Sequence, residues 1–556
     1  MAFDTELIRV TYVFPTDVTQ NRNMSSTTIS AIPTSAKRAE LSLIVWISLI
    51  FAAIKIALHV ITNIIAQRAG YGIFRDEMYY LICGQRLAFG YVDQPPMIAL
   101  VARVTETLFG HDHMWSLRLF PALAGAAKVF LTGVMVWALG GGRRAAALAM
   151  LGVLMAGEYL GIDSFLSMNC FDPVFWMTCA LALIMIVQAK RPESVRNWWI
   201  VLGVSAGLGL ENKVSELFFL VCVLAALLLT PQRRILKNKW FGVAVLLMVL
   251  LALPNLLWQI HYHFPTLEWL RDVQNSDKDV KLPPLKFLAA QVMMLNPFSV
   301  LVWIAGVPWL LVSRAARPFR FFGVMYVLFI ALMMAMHAKD YYLAPVYPVL
   351  FAAGGVAWFS WARKRVWKNA LLGLYAVVLV WAGYRSLPFS IPVLPPKEFV
   401  AYEKKIGFTP QDTENHDATI LPQFYADRFG WSDLVSQVSG IYHSLPPNEQ
   451  AVTGIFAGNY GEASAINLFG PKYGLPQAIS GHQNYWIWGP RGYTGQEMII
   501  VSGASLDEIN PYYTSCKIVG VRNNPLAMPW ERGNIYLCYG RKKTYAADWN
   551  DLKHYH

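Results

Sequence analysis

Charge is scarce in this sequence of 556 residues: 15% of them are charged against 55% apolar. A soluble enzyme carries roughly 25% charged residues, so that class is excluded and a polytopic membrane protein is favoured. A single basic patch is also missing. The net charge of +12 is spread over short clusters between apolar runs, which removes the usual reason to expect a nucleic-acid partner. There is no phosphate-cradling loop and no dinucleotide fingerprint, since Gly140–Gly142 simply precedes arginines and reads as a turn. The six cysteines show no metal-ligand spacing. No internal repeat is visible, and no apolar core follows the start as it would in a signal peptide.

What is present is a series of apolar segments. Residues 1–36 are polar and rich in Ser and Thr, and read as a disordered cytoplasmic tail. A first span, about Leu41–Ile65, follows Lys37 and Arg38. Lys55 inside it is read as reaching toward an interface, with a bundle-facing orientation as the alternative. Further spans fall near 119–139, 145–162, 173–189, 198–210, 214–229, 240–257, 287–312, 321–336, 342–361 and 370–384, about eleven in all. Several are short for a full crossing, as expected where a helix ends in a protein-lined cavity. A Pro-rich connector then leads into a mixed segment with short apolar runs at Ala451–Phe456 and Met498–Val501, read as strands. Glu462–Leu468 reads as a helix. The expected fold is therefore mostly α: a polytopic helical bundle over 37–385, with a first outer loop at 66–118, and a C-terminal extracytoplasmic α/β domain over 386–556.

Arginines and lysines fix the orientation. Arg143 and Arg144, then Lys190, Arg191 and Arg196, then Arg233, Arg234, Lys237 and Lys239 fall in alternate connections. Arg314, Arg317 and Arg320, and then Arg363, Lys364, Arg365 and Lys368, continue the series on the side of Lys37 and Arg38. That side is read as cytoplasmic. The other side then holds every charged stretch that the apolar background leaves unexplained. In that part Cys516 and Cys538 are a plausible disulfide, with two separate thiols as the alternative.

The densest of these stretches is 71–98, YGIFRDEMYYLICGQRLAFGYVDQPPMI, where Arg75, Asp76, Glu77 and Asp93 lie between two apolar segments. Charges beside a membrane cost at least about 2.5 kcal/mol each to desolvate, and function is what retains them; a wet loop with its acids in water is the bland alternative. On a helix Asp76 and Glu77 point about 100° apart, so one can face a cavity while the other holds structure. Asp172, before Pro173, either takes part or caps a helix. Lys213 and Lys339 lie on the same side as Arg75, and are candidates for holding a phosphate. Pairing with Glu211, Glu216 or Asp340 is their structural alternative. Tyr342 is grouped with these phosphate contacts, and Tyr79 and Tyr80 with Asp93 as residues that orient an acceptor. His261 and His263 could join Asp93 on a divalent metal, although an i, i+2 pair shares a face only of a strand. No cofactor is firmly expected.

These residues resemble the integral-membrane glycosyltransferases of the GT-C superfold that use polyprenyl-phosphate sugars. The similarity is to the bacterial family related to protein O-mannosyltransferases and lipid A aminoarabinose transferases. It is carried by Asp76-Glu77 followed by Asp93-Gln94-Pro95-Pro96, by Asp172-Pro173, by the lysine after a glycine-rich span (Gly207–Lys213), and by the Lys339–Pro348 string. Where the aminoarabinose enzymes have Glu-Lys before the proline, this chain has Asp93-Gln94. The resemblance implies a sugar donor on a long isoprenoid phosphate, an envelope lipid, glycan or protein as acceptor, and inversion at the anomeric carbon on the outer face of the bacterial cytoplasmic membrane. Asp76 would be the general base, with Lys213, Lys339 and Arg75 at the leaving phosphate. Asn459, Tyr460, Glu462, His482 and Tyr485 would help choose the acceptor, or else form an ordinary domain core. A transporter is the second reading, since many spans and intramembrane charges also suit one.

Overall fold

The computed structural model describes residues 34–276, 279–363, 365–410, 412 and 414–555. Most of the tail expected over 1–36 therefore lies outside the described residues, as does Lys364. The first span is a single helix, α1 (Thr34–Arg68), of 35 residues. Trp46, Ile50 and Ile61 are exposed along it, as a lipid-facing surface requires.

Among the described residues seven helices are long and apolar enough to cross a membrane. Two further helix pairs, bent by 112° and 93° at short breaks, bring the number to nine if each pair is one crossing. The eleven expected spans are thus not all met. The stretch at 145–162 breaks into Arg143–Leu154 and Gly157–Ile162. At that break a β-carbon on Gly157 would lie 2.9 Å from the carbonyl oxygen of Met294, so two backbones meet there in place of a continuous helix. The Pro192–Asn212 helix, with Glu193, Arg196 and Glu211 near its ends, does not meet the same measure of length and hydropathy. The bundle core packs through small residues. A β-carbon on Gly354 would overlap the Val302 carbonyl, so the Val300–Val312 and Tyr347–Ala362 helices touch backbone to backbone.

Lys55 does not snorkel. It is fully buried, 3.1 Å from Asp163, and donates to the Tyr159 carbonyl at 2.9 Å. Lys128 bonds the other oxygen of Asp163. A lone buried ammonium is too costly to keep, and here a shared carboxylate compensates two of them.

The stretch 66–118, expected as the first outer loop, folds as α2 (Arg75–Gln85), α3 (Met97–Phe109) and one short turn, Met114–Leu117. From Glu77 to Gly84, α2 is buried throughout. Pro95 and Pro96 end the VDQPP turn and start α3, as the fixed φ of proline favours. Two side chains of the Lys239–His261 helix clamp the preceding residues. Asn255 donates to the Phe89 carbonyl at 3.0 Å, and Gln259 to the Tyr91 carbonyl at 3.5 Å.

The Val366–Ser390 helix runs through the first half of the Pro-rich connector. Beyond it, several short helices precede a five-stranded mixed sheet. Its strands are β1 (Gly454–Ala457), β2 (Ala478–Ile479), β3 (Glu497–Ser502), β4 (Tyr513–Arg522) and β5 (Gly533–Arg541), in the order β2-β1-β3-β5-β4. The first three are parallel, and β5 and β4 add antiparallel. Cys516 and Cys538 stand opposite one another on β4 and β5 and form a disulfide. After β1, the helix Tyr460–Phe469 starts with Asn459 and Glu462 capping one another. That helix lies against α2, and the two share one apolar cluster that includes Tyr79, Ile82, Ala463 and Ile466.

Candidate active site

Three consecutive side chains at the start of α2 face three environments. Glu77 is wholly buried and forms a two-pronged pair with Arg118, at 2.9 and 2.7 Å. It also accepts the backbone N–H groups of Phe74 at 2.9 Å and Leu166 at 2.6 Å. Burial raises the pKa of such a carboxyl, but Arg118 outweighs it and holds Glu77 below the ordinary range. Arg118 in turn donates to Asn63 of α1 at 2.9 Å. Glu77 therefore ties the loop to the bundle.

Asp76, one position earlier, keeps a third of its side chain exposed. Its Oδ1 accepts a hydrogen bond from the hydroxyl of Tyr460 at 2.6 Å. Arg75 lies 3.7 Å from Asp76 and 3.9 Å from Asp427. Its guanidinium sits between the rings of Tyr460 and Trp530, at 5.1 and 5.5 Å from their centroids. Burial disfavours its charge, yet Asp427, Tyr460, Asp76 and Glu414 together raise its pKa further. Gly461 makes this approach possible, since a β-carbon there would meet Cγ of Arg75 at 2.7 Å.

Asp93 joins the same face through Tyr79, whose hydroxyl donates to Oδ1 at 3.2 Å and accepts the Asn484 N–H at 3.3 Å. The Asn484 side chain accepts the N–H of Val92 at 3.0 Å. Tyr79 packs against Tyr80, Tyr460 and Tyr485. The C-terminal region thus contacts the VDQPP turn as well as Asp76.

The lysines reach the region by different routes. Lys339 pairs with Asp279 at 3.0 Å and with Glu414 at 3.9 Å. Burial lowers its pKa, but Tyr342, Glu414 and Asp279 outweigh this and raise it. Glu414 also acts on Arg75, so Lys339 and Arg75 share one acidic neighbour. Lys213 donates to the neutral Asn169 side chain at 2.7 Å, and lies 4.7 and 5.5 Å from the ring centroids of Tyr342 and Tyr341. Among the described residues no ion pair joins Lys213 or Lys339 to Glu211, Glu216 or Asp340. Asp172 sits inside the Met168–Gln188 helix, which Ser167 caps, and does not open it. It accepts from Trp176 at 3.1 Å and Ser215 at 2.9 Å.

His261 and His263 are exposed around the end of their helix, and His263 and Phe264 both have positive φ. No group of three His, Cys, Asp or Glu side chains among the described residues converges as metal ligands would. Of the C-terminal candidates, Glu462 pairs with Arg522 at 2.6 Å and holds the cap. His482 accepts the Tyr460 N–H at 3.4 Å, and Tyr485 bonds Ser464 at 3.1 Å. Sequence reading did not find Asp427, Glu414 and Asp279. They lie in segments without periodicity, polar around Asp279 and Glu414 and aromatic around Asp427, where nothing marks them as partners of Arg75 or Lys339.

The whole-chain arrangement is similar to that of ArnT from Cupriavidus metallidurans. In the apo state that structure matches with a TM-score of 0.57 at 15% identity, over 89% of this chain and 97% of the other. Bound to undecaprenyl phosphate it matches with a TM-score of 0.55 at 14% identity, over 89% and 98%. The fold is GT-C. Within that fold, residues 93–258 match the family described as dolichyl-phosphate-mannose-protein mannosyltransferase. The lipid A galacturonosyltransferase RgtD of Rhizobium johnstonii is 28% identical over 41% of this chain and 48% of its own length. The undecaprenyl phosphate-alpha-4-amino-4-deoxy-L-arabinose arabinosyl transferase 1 of Pseudomonas fluorescens is 26% identical over 36% of each. The chain spans about half or less of the curated relatives it matches. Those GT-C relatives are glycosyltransferases.

Proposed function

We propose that this chain is an inverting glycosyltransferase of the cytoplasmic membrane. It would move one sugar from a polyprenyl-phosphate donor to a hydroxyl of an envelope lipid, glycan or protein on the outer face. The observation that carries this reading is the Asp76 carboxylate, partly exposed and oriented by Tyr460, beside a buried cationic group. Names of the relatives support a transferase over a transporter.

In the proposed step Asp76 takes the proton from the acceptor hydroxyl as its oxygen attacks the anomeric carbon. The bond from that carbon to the lipid phosphate oxygen breaks, and its electron pair leaves with the phosphate. Negative charge grows on the leaving group, where a fixed cation helps the transition state more than the ground state. Lys213 is better placed to serve than Lys339, because Asp279 and Glu414 already compensate the charge of Lys339. Asp93 and Tyr79 orient the acceptor, while Glu77 and Asp172 hold the framework. The metal reading of Asp93, His261 and His263 lacks converging ligands, and no step here runs through one.

The test is the Asp76→Asn variant, purified and given undecaprenyl-phosphate donors carrying galacturonic acid, aminoarabinose or mannose, with envelope lipid as acceptor. Loss of about 10²–10⁴ in kcat, with unchanged thermal stability, is expected of a general base. Normal transfer by the variant would sink the assignment.

A further inference from the structure

At the end of the bundle that carries the basic loops, a crevice of about 800 Å³ opens among the Arg143–Leu154, Tyr347–Ala362 and Val366–Ser390 helices, with Phe51 of α1 also in its wall. Its lining is largely apolar, including Leu148 and Leu372, but it also holds Arg144, Arg363 and Asn369. Both arginines are exposed, and among the described residues neither guanidinium forms an ion pair. Asn369 supplies a second, independent signal. Its amide donates to the carbonyls of Arg363 at 3.2 Å and Arg365 at 2.9 Å, which fixes its orientation. Its Oδ1 is then buried with no hydrogen-bond donor. A buried acceptor left this way is costly unless something fills the role.

We propose that this crevice binds an anionic phospholipid with a hydroxylated headgroup, of the phosphatidylglycerol type. Its phosphate lies against Arg144 and Arg363, a headgroup hydroxyl donates to Oδ1 of Asn369, and its acyl chains run along Phe51, Leu148 and Leu372. Forked guanidinium groups suit phosphate, and basic pockets between membrane helices on the cytoplasmic side favour acidic headgroups. Phosphatidylcholine offers no hydrogen-bond donor and brings a cation toward two arginines. Inorganic phosphate leaves the apolar wall uncovered. The volume suits part of a lipid and far exceeds a lone ion. The cytoplasmic leaflet follows from the basic loops, while the lipid class does not depend on the transferase reading.

Thermal unfolding and native mass spectrometry of the whole chain in detergent test this. Phosphatidylglycerol, phosphatidylcholine and inorganic phosphate are titrated separately into wild type, Arg144→Gln/Arg363→Gln and Asn369→Leu. The expected result is one bound phosphatidylglycerol and a rise in Tm of several degrees, absent with the other two probes. Half-saturation should move up about tenfold in the double variant and about threefold in Asn369→Leu. Where the double variant does not fold, Arg144→Gln alone is read, with about a threefold change expected. An equal shift with phosphatidylcholine, a shift reproduced by inorganic phosphate, or undiminished binding after loss of the arginines would each overturn the proposal.

Discussion

The phenolic hydroxyl of Tyr460 lies 2.6 Å from Oδ1 of Asp76, across 384 positions of sequence. One end of that bond belongs to α2, the other to the helix that follows β1. A carboxylate free to rotate is a poor base, because each unproductive rotamer subtracts from the reactive population. On the transferase reading, the C-terminal region thereby orients the proposed base as well as covering it.

Tyr460→Phe keeps the ring that stacks near Arg75 and removes only the donor. On the transferase reading, kcat should fall about 10- to 100-fold, in line with the roughly 1.5–3 kcal/mol of a hydrogen bond to a charged group. Donor KM and Tm should change little. Steady-state kinetics beside a melting curve separate this from a packing defect.

Glu77→Gln should behave in the opposite way. It leaves Arg118 buried without its counter-charge, and breaking such a pair costs about 3–5 kcal/mol. Yield and Tm should drop clearly, while turnover per folded molecule stays near wild type. Activity normalised to the folded fraction is the measurement that decides.

Stability should fall as pH rises from about 5 to 9. Burial pushes Glu531 up to about 8, with Glu462 adding to the rise, and pushes Asp427 up to about 7 against the pull of Arg75. The carboxyl oxygens of Glu531 accept no hydrogen bond among the described residues. Both folded-state values lie above those of the unfolded chain, so the native state binds more protons across that interval and loses stability as they leave. Glu531→Gln should flatten the upper part of the curve and raise Tm at pH 9 by about 2–4 °C for each kcal/mol relieved. Melting curves at pH 5, 7 and 9 for both proteins test the sign.

Reducing the Cys516–Cys538 disulfide should loosen the β4–β5 edge and spare the bundle. The bond closes a sequence separation of 22 residues, for which loop entropy suggests about 3 kcal/mol. Limited proteolysis with and without dithiothreitol should show new cleavage within 513–541 only after reduction.

Much of the bundle was legible because its signal is local. Long apolar runs and alternating basic connections needed no knowledge of tertiary contacts, and α1 and the Leu119–Ala138 helix lie where hydropathy puts them. The break at Met155–Ala156 was not legible, because its cause is the Met294 backbone on a distant helix. Lys55 was misread for the same reason. Its partner Asp163 lies 108 positions away, though three isolated charges in apolar runs (Lys55, Lys128 and Asp163) were a signal that charge balance could have used. At the candidate site, Asp76, Arg75 and Asp93 stood out by their setting. Tyr460 was a candidate only for choosing the acceptor, and its bond to Asp76 was not legible; Asp427 was not singled out at all, since an acid in a mixed segment is ordinary until the fold brings it to α2.

Arg75, Asp76 and Glu77 are adjacent, yet each is claimed by a different part of the molecule: the C-terminal region, the solvent-reaching face and the bundle. Because neighbours on a helix differ by about 100° in direction, their allocation depends on the phase of a single turn. Lengthening α2 by one residue just after Glu77 would turn all three by about 100° relative to the buried face from Met78 to Gly84. Change around this turn is therefore easier to absorb than change in its phase, on which three separate contacts depend at once.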